Sequence, residues 1–113
     1  MHASSDATSS DSPPPVVLGV DFYRFVLDPS YLTDSGAIWE GAESLSGAQA
    51  SKFVRLAELA DVRPDTDILD VGCGWGGFLG YSLESLGVRS AVGLTISRDE
   101  AQYASKLVGL RGR

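Results

Sequence analysis

The chain has 113 residues, the length of a single domain, and its 43% hydrophobic and 21% charged residues exclude a wholly disordered polymer. Fifteen Asp and Glu against nine Lys and Arg give a formal charge of −6, the wrong sign for wrapping phosphates, so nucleic acid is set aside as a partner. One cysteine and one histidine exclude an internal disulfide, a Cys/His zinc site and a histidine-based triad, and no metal site is expected.

The first fifteen residues are almost all Ser, Asp, Pro, Thr or Ala and close on Pro13-Pro14-Pro15, which predicts a disordered leader over 1–15 and a folded portion over 16–113. No apolar run approaches the roughly 18–20 residues that span a bilayer, and no signal-peptide pattern opens the chain, so a soluble, cytoplasmic protein is expected. Asp21 followed by Phe22, Tyr23, Phe25, Val26 and Leu27 predicts a short capped helix, its aromatics in the core, that Asp28-Pro29 stops. Residues 31–43 have no clean period and read as a loop. From Ser46 the pattern becomes helical: Ser46 and Gln49 have capping-box spacing, and Phe53, Leu56, Ala57 and Ala60 share a face, with an end expected near Asp61.

Ile68-Leu69-Asp70-Val71 is a short apolar run bounded by turn residues, as expected of a strand buried on both faces. Leu79, Leu83 and Leu86 then fall on one helical face, with Gly87 placed for a left-handed helix end. Ala91-Val92-Gly93-Leu94-Thr95 is the next strand, and Ser97 with Glu100 caps a helix whose buried stripe is Ala101, Ala104, Leu107 and Val108. Strands alternating with helices predict an α/β fold with right-handed crossovers and a parallel sheet covered on both faces.

Four of the thirteen glycines fall between positions 72 and 77, at the turn from the first strand into its helix. Glycine there permits positive φ and close approach of the backbone to a ligand, while the helix N-terminus offers free N–H groups. Gly72, Gly74 and Gly77 match the G-x-G-x-x-G spacing of dinucleotide sites, a pattern of low specificity on its own. Asp70, at the strand end, discriminates: its carboxylate repels a pyrophosphate but pairs with the α-ammonium of a methionine moiety, which favours S-adenosylmethionine over NAD. Cys73, with no His or Lys beside it in sequence, reads as a small filler and not a nucleophile, and Trp75 either packs under the turn or borders the ligand.

Ile68-Leu69-Asp70-Val71-Gly72-Cys73-Gly74-Trp75-Gly76 followed by Gly93-Leu94-Thr95-Ile96-Ser97 resembles the cyclopropane-fatty-acid synthase and mycolic acid cyclopropane synthase family of S-adenosylmethionine-dependent methyltransferases. Asp21 to Pro29, Thr33 to Glu40, Leu45 and Ala48-Gln49-Ala50 follow the same family's order upstream, so the resemblance covers about residues 20–108. It implies a Rossmann-like class I methyltransferase fold, here truncated after the second strand and its helix. By position, Gly72 and Gly74 would pass the methionine end of the cofactor, Thr95 and Ile96 would lie along the adenosine, and Ser35 would sit near the carboxylate. Asp34 stands where the family usually has Tyr, and Glu100 where it has Gln. Glu100 would then serve either as a ribose acceptor or as the second half of the helix cap.

The resemblance implies methyl transfer to the double bond of a lipid acyl chain, with proton loss to bicarbonate closing a cyclopropane or leaving a methyl branch, and it allows peripheral membrane contact. The acyl tunnel and the bicarbonate site belong to later parts of that fold, so the catalytic residues are unknown here and the chain alone is expected to be inactive. The exposed edge of a two-strand sheet predicts self-association or aggregation. Three alternatives stay open: methylation of another small molecule, a non-catalytic cofactor-binding or interaction module, and NAD-dependent oxidoreduction.

Overall fold

Two parallel strands and the helices laid against one of their faces position everything else. The computed structural model describes residues 3–4 and 19–111. In chain order these form β1 (Ala3–Ser4), α1 (Val20–Val26), α2 (Leu45–Leu59), β2 (Asp67–Val71), α3 (Gly77–Tyr81) continued by a π-helical turn (Ser82–Leu86), β3 (Ser90–Leu94) and α4 (Arg98–Arg111). Of the expected leader only Ala3 and Ser4 are described, paired in parallel with Gly93 and Leu94; the rest of that segment lies outside the described residues.

The strand order is β1-β3-β2, with Asp67 opposite Ser90 and Val71 opposite Leu94. Asp67 fastens that register at its outer end by accepting from the Arg89 guanidinium and from Ser90 Oγ, 2.7 Å away. Those hydrogen bonds, Arg89 foremost, hold the Asp67 carboxyl well below the usual carboxylate range.

Side chains alternate across a strand, so Ile68, Asp70, Ala91 and Gly93 share one face and Leu69, Val71, Val92 and Leu94 the other. The first face carries the core. Leu79 from α3 and Val108 from α4 close on Ala91 and Cys73, with Ile68 and Leu83 at the margin. Gly93 is required there: a Cβ at this position would stand 2.6 Å from both Cys73 Sγ and Leu79 Cδ1. Along α4 the expected stripe is in place, with Ala101, Ala104 and Val108 buried and Leu107 half-buried.

The opposite face departs from expectation. Leu69 is 61% and Val71 74% exposed, while Ile68 and Asp70 are half-buried, so β2 is covered on one face and not on two. The reason is that α3 and α4 both return on the Ala91/Gly93 side, leaving no described helix for the other.

The aromatics of α1 are a second correction. Phe25 is 88% exposed and Phe22 also stands in solvent, because this seven-residue helix turns only Tyr23 inward, onto the Trp75 ring 5.3 Å away. Its N-cap is Gly19, with Asp21 in the first turn. The N-terminus of α2 also differs: Ser44, not Ser46, accepts the Gly47 amide at 3.0 Å, and the helix begins at Leu45. Ser46 and Gln49 are thereby released, Ser46 Oγ to Asp28 and the Gln49 amide to the backbone of residues 33–35.

Downstream of α3 the chain widens into one π turn and ends, as expected, on Gly87 in the left-handed conformation at φ 65°. Ser82 is buried in that turn with its hydroxyl donating to Phe78 O at 2.7 Å.

Gly77, the first residue of α3, packs against the loop before α2, where an added Cβ would lie 2.5 Å from Tyr31 O, a backbone atom that cannot swing away. Gly77→Ala should therefore cost about 1–3 kcal/mol of stability through overpacking. Gly36→Ala, where an added Cβ meets nothing within 4 Å, should change it by less than about 0.5 kcal/mol. Urea titration of the two variants beside the parent checks the difference.

Candidate functional site

The turn that follows β2 is tied to the neighbouring strand by one oxygen. Leu94 O accepts both the Gly72 amide at 2.8 Å and the Cys73 amide at 2.9 Å, so these N–H groups hold the turn over the end of β3. Gly72, Gly74 and Gly76 all take positive φ (80°, 55° and 86°), which glycine accepts without steric penalty. A Cβ on Gly72 or Gly74 would meet nothing within 4 Å, whereas one on Gly76 would strike Ala104 Cβ at 2.9 Å. Gly76 thus serves packing against α4, and Gly72 and Gly74 border open space.

That space is a cavity of about 390 Å³ between the loop at 32–35, the side of α2, the glycine turn and the start of α4. It is large enough for a small organic ligand. Of the seven candidate residues, it brings together five: Ser35, Asp70, Gly72, Gly74 and Glu100. Thr95 and Ile96 stand outside the lining. Thr95 is buried and Ile96 exposed.

Asp70 extends from the end of β2 into the cavity. Burial raises its carboxyl pKa, and among the described residues no group donates a hydrogen bond to it or pairs with it. The charged form is therefore left short of a partner, and a cationic ligand group would supply one.

The Glu100 carboxylate is engaged by Thr95. The hydroxyl of Thr95 donates to Glu100 Oε2 at 2.5 Å and accepts from the Ser97 amide at 3.3 Å, while Ser97 Oγ accepts the Glu100 amide at 3.3 Å. Ser97 is thus the helix cap, but its own amide donates to Thr95 Oγ1 and not to the Glu100 carboxylate. The carboxylate faces the cavity instead.

Cys73 is the filler the sequence suggested. Its thiol is buried, reaches only Gly74 O at 3.7 Å, and is pushed up to about 11 by burial and by the charges of Asp70 and Glu100. Trp75 sits between Tyr23 and Tyr103, its ring edge-on to Tyr103, and it also lines the cavity.

Sequence reasoning missed the organisation of the loop at 28–35. Asp28 is fully buried, and its carboxylate accepts the Tyr31 amide at 2.7 Å, the Thr33 amide at 3.1 Å and Ser46 Oγ at 3.5 Å. With those bonds made, Leu32 is held at φ 50° and packs inward. Lys52 was missed as well. It follows Gln49 by three residues on α2, so both reach the same loop, and its Nζ donates to Ser35 Oγ at 2.6 Å and Thr33 Oγ1 at 3.2 Å. The available signal was a lysine on the face shared by Gln49, Phe53 and Leu56.

A match to the mycolic acid cyclopropane synthetase family spans residues 16–112. Among curated relatives, the cyclopropane-fatty-acyl-phospholipid synthase of Escherichia coli (strain K12) is 37% identical over 89 residues, which are 79% of this chain and 23% of that protein. A probable fatty acid methyltransferase of Mycobacterium tuberculosis is 40% identical over 89 residues, 78% of this chain and 20% of the relative. The chain thus spans about a quarter or less of these relatives' length. Among solved structures, mycolic acid cyclopropane synthase CmaA1 complexed with SAH and CTAB superposes with a TM-score of 0.71 at 38% identity, over 80% of this chain and 32% of that one. The α/β arrangement is therefore that of cyclopropane synthases, and the chain belongs to the mycolic acid cyclopropane synthetase family.

Proposed function

We propose that the chain forms the S-adenosylmethionine-binding part of a cytoplasmic methyltransferase that methylates or cyclopropanates unsaturated lipid acyl chains. The observation that carries the cofactor is Asp70, a carboxylate with a raised pKa and no partner among the described residues, at a cavity wall where Gly72 and Gly74 leave room for a ligand. These residues fit the group: the carboxylate receives an α-ammonium, and the two glycines let the methionine end run along the turn. A pyrophosphate would meet Asp70, Asp34 and Glu100, three carboxylates in one lining, which disfavours NAD. Support for the lipid acceptor is the family membership and the names of its relatives, a fatty-acyl-phospholipid synthase and a fatty acid methyltransferase.

When bound, the cofactor supplies an electrophilic methyl group on a sulfonium. The residues of this chain bind and orient it. Asp70 fixes the ammonium, and Glu100, aimed by Thr95, offers carboxylate oxygens to a ribose diol. Trp75, held by Tyr23 and Tyr103, closes the wall beside the turn.

Calorimetric titration of S-adenosylhomocysteine into the 113-residue chain should show binding, with NAD giving none. Gly74→Val fills the open space and should abolish it. Tighter binding of NAD than of S-adenosylhomocysteine would overturn the reading.

Asp70 carries a pH prediction. Its folded pKa lies above the unfolded one, so the fold favours the protonated form; that contribution is full below the ordinary carboxylate range and is lost as pH rises through the folded pKa. Asp70→Asn should therefore raise the melting temperature at pH 7, with the gain shrinking toward pH 4, while S-adenosylhomocysteine binding is lost. Thermal melts across that range, paired with titrations, check both halves.

At the other end, Ser97→Ala removes the cap and should cost about 0.5–2 kcal/mol of stability with affinity unchanged at matched folded fraction. Glu100→Ala should weaken S-adenosylhomocysteine by roughly 1–3 kcal/mol, the scale of a lost hydrogen bond to a charged acceptor. Unchanged affinity in Glu100→Ala would remove it from the cofactor site.

A further inference from the structure

The geometry points to Lys52 as the cation that receives the α-carboxylate of the cofactor, with the Ser35 hydroxyl beside it; this rests on the S-adenosylmethionine reading above. An amino-acid moiety is a zwitterion, so a site that takes its ammonium on Asp70 must still place its carboxylate. Three of the cavity's lining residues are carboxylates, Asp34, Asp70 and Glu100, and each repels a further one. Among the described lining residues Lys52 is the single cation.

Its charge is available. Lys52 Nζ donates to Ser35 Oγ at 2.6 Å, to Thr33 Oγ1 at 3.2 Å and, at a long 3.4 Å, to Ser35 O, all neutral acceptors, and it makes no ion pair among the described residues. Partial burial lowers its pKa, and the nearby charges of Asp28 and Asp34 work against that and favour the ammonium form. Ser35 Oγ, by accepting from Lys52, keeps its own proton to donate, so ammonium and hydroxyl together offer a carboxylate two donors.

The position is also braced. Gln49 Nε2 donates to Ser35 O at 3.0 Å and to Thr33 O at 3.5 Å, pinning the loop to the same side of α2 that carries Lys52. Asp28 holds the loop from within by accepting the Thr33 amide. The hydroxyl is thus brought to the lysine by two independent contacts before any ligand arrives, which limits what binding must order.

The test compares two ligands that differ only in the carboxylate, S-adenosylmethionine and its decarboxylated form, on the chain and on Lys52→Met and Lys52→Arg, with circular dichroism fixing equal folded fractions. Lys52→Met should weaken S-adenosylmethionine by roughly tenfold or more and decarboxylated S-adenosylmethionine by less than about twofold, while Lys52→Arg retains most of the affinity for both. Unchanged S-adenosylmethionine binding in Lys52→Met, or an equal loss of both ligands, would overturn the assignment. If the parent chain binds neither ligand, the cofactor reading itself falls and takes this assignment with it.

Discussion

The site depends on one backbone acceptor, Leu94 O, which takes the amides of Gly72 and Cys73 and so bends the chain over the end of the neighbouring strand. A turn held this way must pass close to β3, and Gly93 is the residue that lets it: any side chain there would collide with Cys73 and Leu79. Core packing and cavity geometry are consequently one problem. Cys73 is pressed inward as filler, Leu79 seats α3 on the sheet, and the turn between them exposes the glycine backbone and the Asp70 carboxylate to the same space. A shift of the turn by the width of a methyl group would move all of these together.

A second device, Asp28, does for the loop at 31–35 what Leu94 O does for the glycine turn. It is buried with no ion pair among the described residues, and amides and a hydroxyl meet its carboxylate; a carboxylate so surrounded orders a segment that has no secondary structure of its own. Because those bonds are internal to the loop and α2, the hydroxyl groups of Thr33 and Ser35 are presented to Lys52 at fixed places. The cavity is thus framed by two turns of different chemistry, one made of glycine backbone and one of side-chain hydrogen bonds.

How legible this was follows from the range of the forces involved. Strands β2 and β3, the glycine turn, the helix end at Gly87 and the stripe Ala101, Ala104, Val108 were readable because period and turn chemistry are local. Ser44 was overlooked as the cap of α2 because Ser46 offers the same side chain two residues on, and only the approach of Asp28 decides between them. Glu100 was ambiguous for the same kind of reason: the capping spacing is real, but Thr95 captures its carboxylate, and nothing in the spacing of Ser97 and Glu100 registers a hydroxyl at the strand end. Lys52 and Asp28 act across some 17 to 18 residues of sequence, beyond any window in which periodicity speaks. The aromatics of α1 misled because apolar composition was taken for burial, whereas a two-turn helix has one inward position, and Tyr23 occupies it.

Leu69 and Val71 show how the cavity stands apart from the rest of the fold. Their β-branched or large apolar side chains suit a strand covered on both faces, yet they lie exposed while Asp70 between them turns toward the cavity. Every lining residue comes from 32–35, 52–56, 70–78 or 100, all on the covered side or at the strand end. The open face therefore contributes nothing to the cavity wall. Its cover would stabilise β2 by burying apolar area without touching Asp70, Lys52 or the glycine turn. Whatever rests on the far side of the sheet reaches the cavity through the positions of β2 and β3, because Leu94, whose side chain stands on the open face, holds the glycine turn through its carbonyl.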